Sequence, residues 1–327
     1  LLNGLKKIKH QKMTKVQELF RYILSLLGGF LYNVIVWFIT GGVKTHYFEV
    51  ELCSPCNAKC TFCPQSTGGV KRSQSVMTKG QILTLVTQLD KLSQNSKISI
   101  YFCGMGENLI RKDLILFFIE SIKNIDKYSF TLVTNGHLLT KEFITNPLVE
   151  NLKIEISMSG WDSYESIYKL SHKKVQEKII ETAKLIGPRL KIHWVRDHNL
   201  IEESEEKKFM EWYYKNIKKY KTKYKFGSLH TRGGVYLYPG WDKDGTRKFK
   251  NCKIFSDMNF ISSDGDMLSC CHDVESKNII DNIDKNNITD MMEKKKLMQK
   301  TCGGFDICNK CTDFTLEKQF KITYTNE

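Results

Sequence analysis

The chain has 327 residues, with 50 Lys and Arg against 36 Asp and Glu and a formal charge of +14 at neutral pH. That length supports one large α/β domain of about 200 to 250 residues plus a smaller module with a full core, so disulfide staples are not needed to hold the fold. The basic surplus either calls for an anionic partner, such as a phosphorylated substrate, nucleic acid or an anionic membrane surface, or reflects a solvated lysine-rich surface.

Residues 22–40 (YILSLLGGFLYNVIVWFIT) carry no charge and follow Lys6, Lys7, Lys9, Lys12, Lys15 and Arg21. By length this stretch could just cross a bilayer. The preceding basic residues would then leave the cysteine-rich remainder outside, where reduced thiols are out of place, and Gly28-Gly29 weakens a continuous helix. The expectation for residues 1–45 is a basic and apolar helical element. It either makes a peripheral membrane contact through residues 22–40 or packs on the domain that follows.

From residue 47 onward, β-rich runs alternate with segments of helical period. Strands are predicted at 47–52, 97–103, 129–134, 152–158, 190–195 and about 225–230, and helices near 78–94, 112–125, 140–147, 162–186 and 202–219, with Thr78 and Thr140 as caps. Six β-then-α units imply an α/β fold, a partial (β/α)6 parallel barrel over residues 46–232. The rhythm breaks at His230-Thr-Arg-Gly-Gly234. Residues 233–327 read as a small cysteine-rich module, with a hairpin around Ser262–Gly265 and a helix near 287–299.

The cysteines are Cys53, Cys56, Cys60, Cys63, Cys103, Cys252, Cys270, Cys271, Cys302, Cys308 and Cys311, an odd number in two distant groups. With no cleavable signal-peptide pattern in view, they predict reduced thiols serving as metal ligands in the cytoplasm. Cys56-x3-Cys60-x2-Cys63 supplies three thiolates from one loop. A structural zinc site wants four ligands, whereas a 4Fe–4S cluster with three protein ligands leaves one iron open.

This loop, with Phe62 just before its third cysteine, resembles the signature of the radical S-adenosylmethionine (SAM) superfamily. The resemblance implies that Cys56, Cys60 and Cys63 ligate a 4Fe–4S cluster whose open iron chelates SAM. Reductive cleavage then yields a 5′-deoxyadenosyl radical that takes hydrogen from a substrate. Companion motifs follow the later strands. Gly104-Met-Gly106-Glu107-Asn108 is similar to the family's G-x-G-E-P, with Asn108 in place of proline, and implies that Glu107 accepts from the SAM ammonium. Thr134-Asn135-Gly136 looks like the T-N-G element. Ser157-Met-Ser159-Gly160 resembles S-x-D-G, which implies ribose and methionine contacts from Ser157 and Ser159, and Lys169 stands near where relatives carry a carboxylate-pairing arginine.

In the second group, Cys252, Cys270, Cys308 and Cys311 form a four-thiolate set that fits zinc about as well as iron and sulfur. The spacing resembles the twitch module, a shortened SPASM domain, and Asp264-Gly-Asp-Met-Leu-Ser-Cys270-Cys271 is close to that family's D-G-x-V-x-P-C-C. The resemblance implies an auxiliary 4Fe–4S cluster on these four cysteines. Cys53, Cys103, Cys271 and Cys302 are left to packing, or to hydrogen donation from an exposed thiol such as Cys271.

Together the resemblances imply a radical SAM oxidoreductase or epimerase acting on a small carbohydrate, cyclitol, phosphorylated or lipid-linked substrate, and supplied with electrons by a reductase such as flavodoxin or ferredoxin. Only about 45 residues precede the barrel, fewer than the leader-binding domain common in peptide-modifying relatives. That favours a small molecule over the alternative, a maturase of ribosomal peptides. Arg196, His230 and Arg232 are the candidate substrate contacts. A zinc-binding nucleic-acid protein would leave the Gly104 and Asn135 motifs unexplained, and a membrane-anchored binding module would explain residues 22–40 and nothing else.

Overall fold

The computed structural model describes residues 43–70, 74–196, 203–229, 252–299, 305–309 and 311. Residues 22–40, His230, Arg232 and Cys302 lie outside them. Two compact units are distinguished, Leu1–Thr45 with Asn95–Lys97, and His46–Gln94 with Ile98–Glu327. The site described below lies in the second.

Thr78 caps the first helix as its sequence predicts. Its hydroxyl accepts the Gln81 amide at 3.1 Å, and the Gln81 side-chain oxygen accepts the Thr78 amide at 3.0 Å, which satisfies two otherwise free donors reciprocally. This helix, Lys79–Ser93 (α1), joins strands Lys44–Val50 (β1) and Ser96–Phe102 (β2). Then come Lys112–Glu120 (α2), Tyr128–Thr134 (β3), Lys141–Ile144 (α3), Lys153–Met158 (β4), Tyr164–Tyr168 (α4), His172–Ile186 (α5), Leu190–Arg196 (β5), Glu203–Asn216 (α6) and Lys223–Ser228 (β6). From β2 to β6 each strand pairs in parallel with the next, so the expected α/β alternation is realised in a sheet that stays open.

Strand alternation divides the sheet into two faces. Ile98, Ile100, Phe102, Leu132, Ile154, Ile156, Ile192 and Trp194 are buried in one core with Leu85, Phe118, Ile179 and Phe209 from the helices. Trp194 stacks on Phe209 with ring centroids 4.6 Å apart. Each such side chain contributes about 1.5–3 kcal/mol by leaving water. The alternate positions of β4 to β6, Glu155, Ser157, Lys191, His193 and Lys225, are polar and face the other way.

Three predicted helices are shorter than expected, and the one near 112–125 ends at Glu120, where the Ser121 hydroxyl donates to the Phe117 carbonyl at 2.7 Å. The single helix expected over 162–186 is broken at Lys169, which adopts a left-handed φ of 57° and closes α4, while the Ser171 hydroxyl accepts the Lys174 amide to open α5. The helix expected over 140–147 is the four-residue α3 followed by a 3-10 turn, Pro147–Val149, because proline has no amide to continue the ladder.

The described part of 233–327 continues the same sheet. Lys253–Asp257 (α7) leads to Met258–Ile261 (β7), which pairs in parallel with β1, and Asp266–Leu268 (β8) and Ile279–Asn282 (β9) add antiparallel strands. The strand order is β6-β5-β4-β3-β2-β1-β7-β8-β9. Ile288–Gln299 (α8) and Asp306–Asn309 (α9) follow.

Candidate functional site

The three cysteines sit in the loop that leaves the C-terminal end of β1. The Cys63 amide donates to the Cys60 carbonyl at 3.0 Å and the Ser66 amide to that of Cys63 at 3.0 Å, so the loop is wound into turns. Two backbone bonds dock it on α4, from the Lys59 amide to the Tyr168 carbonyl at 3.2 Å and from the Thr61 amide to the Ile167 carbonyl at 2.9 Å. Phe62 meets the Tyr168 ring edge to face at 5.8 Å. Burial pushes the Cys56 thiol up to about 11 and Cys60 higher still, with the neighbouring cysteines of the loop adding to both. Thiols gathered in one loop become thiolates when metal supplies the missing positive charge.

Among the described residues no three His, Cys, Asp or Glu side chains converge on a single ion. A 4Fe–4S cluster places each thiolate on a different iron, so it does not need that convergence, and a three-thiolate donor set fits it. The second strand loop forms a cradle beside the cysteines. A Cβ at Gly106 would lie 2.0 Å from the Cys53 carbonyl oxygen and 2.6 Å from the Ser54 backbone, and one at Gly104 would lie 2.6 Å from Glu51 Cγ. Backbone passes here where any side chain would block it.

Sequence reasoning missed Glu51, the residue that fixes this loop. Its Oε1 accepts the Met105 amide at 2.7 Å and the Gly106 amide at 3.2 Å, while Oε2 accepts the Ser54 hydroxyl at 3.3 Å and the Ser263 hydroxyl at 3.4 Å. Asn108, where the family pattern has proline, accepts the Leu52 amide on its side-chain oxygen at 2.8 Å and so ties the end of β1 to the loop. Glu107 is 3 % exposed. Its Oε1 accepts from the Leu109 amide at 3.1 Å and the Thr134 hydroxyl at 2.9 Å, and its Oε2 from the Asn135 amide at 2.9 Å. Burial raises its pKa, against the lowering effect of these three donors. Asn135 in turn donates its side-chain amide to Asn57 Oδ1 at 2.8 Å. Cysteine loop, Gly104 loop and Thr134-Asn135 are therefore one hydrogen-bonded unit.

Beyond β4, Gly160 has a φ of +72° and Glu205, another residue missed from sequence, gathers the turn. Its Oε2 accepts the Trp161 amide at 2.5 Å, the Ser163 amide at 3.1 Å and the Ser163 hydroxyl at 2.8 Å. Ser159 is fully buried and donates to the Val195 carbonyl at 2.8 Å, whereas Ser157 is half-buried and Lys169 exposed. Arg196, expected as a free substrate contact, forms a two-pronged pair with Glu206 at 2.8 and 2.7 Å and lies over the Phe226 ring at 4.3 Å. His230 and Arg232 fall outside the described residues.

In the second group, Cys252 caps α7, Cys270 follows β8, and Cys308 and Cys311 lie in and after α9. Burial pushes the Cys270 thiol up to about 12, with the Cys308 and Cys311 thiols raising it further and Lys295 opposing. Lys295 is 3 % exposed. It donates to the Met258 carbonyl and lies 5.2 Å from the Phe255 and 5.5 Å from the Phe260 ring centroids. Burial lowers its pKa to about 8, while Cys270, Cys271 and Cys252 act in the opposite sense. Cys252, Cys270 and Cys271 thus lie within electrostatic reach of the buried Lys295, and Cys308 and Cys311 within reach of Cys270. Cys271 is half-buried and lies within electrostatic reach of Cys103.

A model of the radical SAM superfamily matches residues 50–212. The S-adenosyl-L-methionine-dependent 2-deoxy-scyllo-inosamine dehydrogenase of Niallia circulans is 22 % identical over 287 residues, which cover 84 % of this chain and 96 % of that protein. Among solved structures, BtrN in complex with AdoMet and 2-DOIA aligns over 84 % of this chain and 94 % of its own, at 22 % identity and a TM-score of 0.52. Native anSMEcpe with bound AdoMet and Cp18Cys peptide aligns over 82 % and 88 %, at 17 % identity and a TM-score of 0.60. These two likenesses speak to the fold, and the family match covers the cysteine loop and the Gly104, Asn135 and Ser157 elements built around it. The chain belongs to the radical SAM superfamily.

Proposed function

We propose that the chain oxidises or epimerises a small polyhydroxylated or phosphorylated substrate, with an alcohol dehydrogenation as the leading reaction, using SAM at the Cys56–Cys63 loop and an auxiliary cluster at the second cysteine group. The observation that carries this reading is the bonded unit of cysteine loop, Gly104 loop and Thr134-Asn135 at the C-terminal ends of β1, β2 and β3. Parallel α/β sheets bind their ligands at these ends. The likeness to a SAM-dependent inosamine dehydrogenase over most of both chains supports alcohol oxidation.

When bound, the clusters and SAM supply reductive SAM cleavage, hydrogen-atom abstraction and an electron acceptor. Cys56, Cys60 and Cys63 would hold the first cluster, and Cys252, Cys270, Cys308 and Cys311 the second. Gly104 and Gly106 let this loop pack directly on Glu51 and on the Cys53–Ser54 backbone, beside the cysteines. Among the described residues Glu107 Oε2 accepts one bond, from the Asn135 amide, and a carboxylate oxygen has capacity for a second, such as an ammonium group would supply. Ser157 and the exposed Lys169 would complete the contacts to SAM, Lys169 as a point charge for its carboxylate. Arg196, held by Glu206, shapes the wall beside β6, and His230 and Arg232 are proposed to touch the substrate. Cys271 is the thiol that would return hydrogen in an epimerisation.

The test is anaerobic reconstitution followed by iron and sulfide counting. About eight irons per chain are expected for two clusters, about four would remove the auxiliary one, and zinc without sulfide would overturn the reading. Turnover in deuterated water separates the reactions. A product oxidised by two electrons marks dehydrogenation, and stable deuterium on a substrate carbon marks epimerisation. The peptide-maturase alternative draws on the fold likeness to a peptide-bound enzyme and requires turnover on a peptide.

A further inference from the structure

The proposed function leaves one charged cluster unused. The registers of β4, β5 and β6 place Glu155 opposite Lys191 and His193 opposite Lys225, all on the sheet face turned away from the helical core. Lys191 Nζ lies 2.6 Å from Glu155 Oε2, Lys225 Nζ 2.6 Å from Oε1, and His193 Nδ1 3.1 Å from Oε1. The carboxylate is 7 % exposed, whereas the two lysine side chains are 37 % and 38 % exposed, so the acid lies beneath and the ammonium groups lie above.

One carboxylate neutralises one lysine. With His193 neutral, a state that burial favours by lowering its pKa, the cluster keeps a net charge of +1. Burial also disfavours the charged form of Lys225, so a purely structural pair would be better served by a single lysine. Gly227 makes room for the imidazole, since a Cβ there would lie 2.4 Å from His193 Nε2. Tyr101, from β2, lies within electrostatic reach of Lys191 and Glu155.

We propose that Lys191 and Lys225, gathered by Glu155 and flanked by His193, form an oxyanion subsite that holds the phosphoryl group of a phosphate-monoester substrate on the inner face of the sheet. The inference rests on the functional reading above, because it assigns the substrate of that same site. Each ammonium has three donors and spends one on Glu155, which leaves two apiece for an anion. A phosphate monoester offers nearly two negative charges and three acceptor oxygens, enough to engage both ammonium groups at once, whereas a carboxylate offers one charge and two oxygens.

The test is calorimetric titration of the reconstituted holoenzyme with inorganic phosphate and, separately, with acetate at low ionic strength. Phosphate is expected to bind more tightly than acetate. Lys225→Met is expected to weaken phosphate about tenfold, the worth of one charge-assisted hydrogen bond, while Lys225→Arg retains binding. Thermal unfolding of both variants checks that they are folded. The subsite is overturned if the wild-type protein takes no phosphate, if acetate binds as tightly, or if folded Lys225→Met binds phosphate as the wild type does. SAM cleavage by the reconstituted wild-type protein is followed in parallel. Cleavage without phosphate binding defeats the subsite alone, and absence of cleavage defeats the radical reading.

Discussion

Gly106 has no space for even a methyl group, because the Cys53 carbonyl oxygen would stand 2.0 Å from it and that oxygen belongs to backbone. Gly106→Ala is therefore expected to displace the loop that Glu51 grips, to cost about 1–3 kcal/mol, and to lower the iron retained after reconstitution. Thermal unfolding and iron analysis check this, and wild-type values in both would contradict the cradle. His137 gives a pH dependence at the same scale. Its ring is 5 % exposed, its Nε2 lies 3.3 Å from the Tyr164 hydroxyl, and burial, aided by Lys174, lowers its pKa to about 4. A folded-state pKa below the unfolded value means stability that is present above pH ~6.5 and lost as pH falls toward 4. From pH 7 to pH 5 the loss is expected to be about 2 kcal/mol, and His137→Gln should remove that part of the slope in urea unfolding.

Among the elements, α8 carries Lys295 into an apolar pocket between Phe255 and Phe260, beside the second cysteine group. A buried ammonium is tolerated when an anion faces it, and a thiolate-ligated cluster would be such an anion. Lys295→Met is expected to make the second cluster harder to reduce, by about 60 mV or a factor of ten in the one-electron equilibrium, with Lys295→Arg restoring the wild-type potential. Potentiometric titration followed by electron paramagnetic resonance reads the shift directly, and an unmoved potential would leave Lys295 a packing residue. The strands were legible in the sequence because alternation is a local signal, and the cysteine loop because its spacing is. Glu51, Glu205 and Glu155 were not. A glutamate beside a strand, in a short strand or in the first turn of a helix reads as a solvent-facing position, and only the packing of neighbouring strands and loops shows that its partners come from 54, 44 and 36 residues away. The break at Lys169 was hidden for a related reason, since the helical period runs on through 162–186 while one left-handed residue interrupts the hydrogen bonds.

Over the whole molecule, the proposed function assigns the two cysteine groups to different steps, so their loss should differ in kind. Cys308→Ala is expected to leave SAM cleavage measurable while stopping product formation, as read by chromatography of 5′-deoxyadenosine and product from the same reaction. Full turnover in that variant would make the second group merely structural. The boundary that the sequence suggests near residue 232 is crossed by hydrogen bonds, because β7 pairs with β1 in register from Tyr47 with Met258 to Val50 with Ile261. A continuous row of hydroxyls reinforces the crossing, Ser75 to Ser263 at 2.6 Å and Ser263 to Ser54 at 2.6 Å, ending on Glu51.

That pairing also orders events at the ribosome. β1 has β2 on one side and β7 on the other, and residues 103–257 must be made between the first partner and the second. Until then one edge of the strand that leads into Cys56, Cys60 and Cys63 is bare, the state most open to mispairing with another chain. Translation of residues 258–261 closes it. The seat for the first iron–sulfur cluster is thus completed by nearly the last strand to emerge, and metal delivered earlier would meet a loop whose supports are still unwritten.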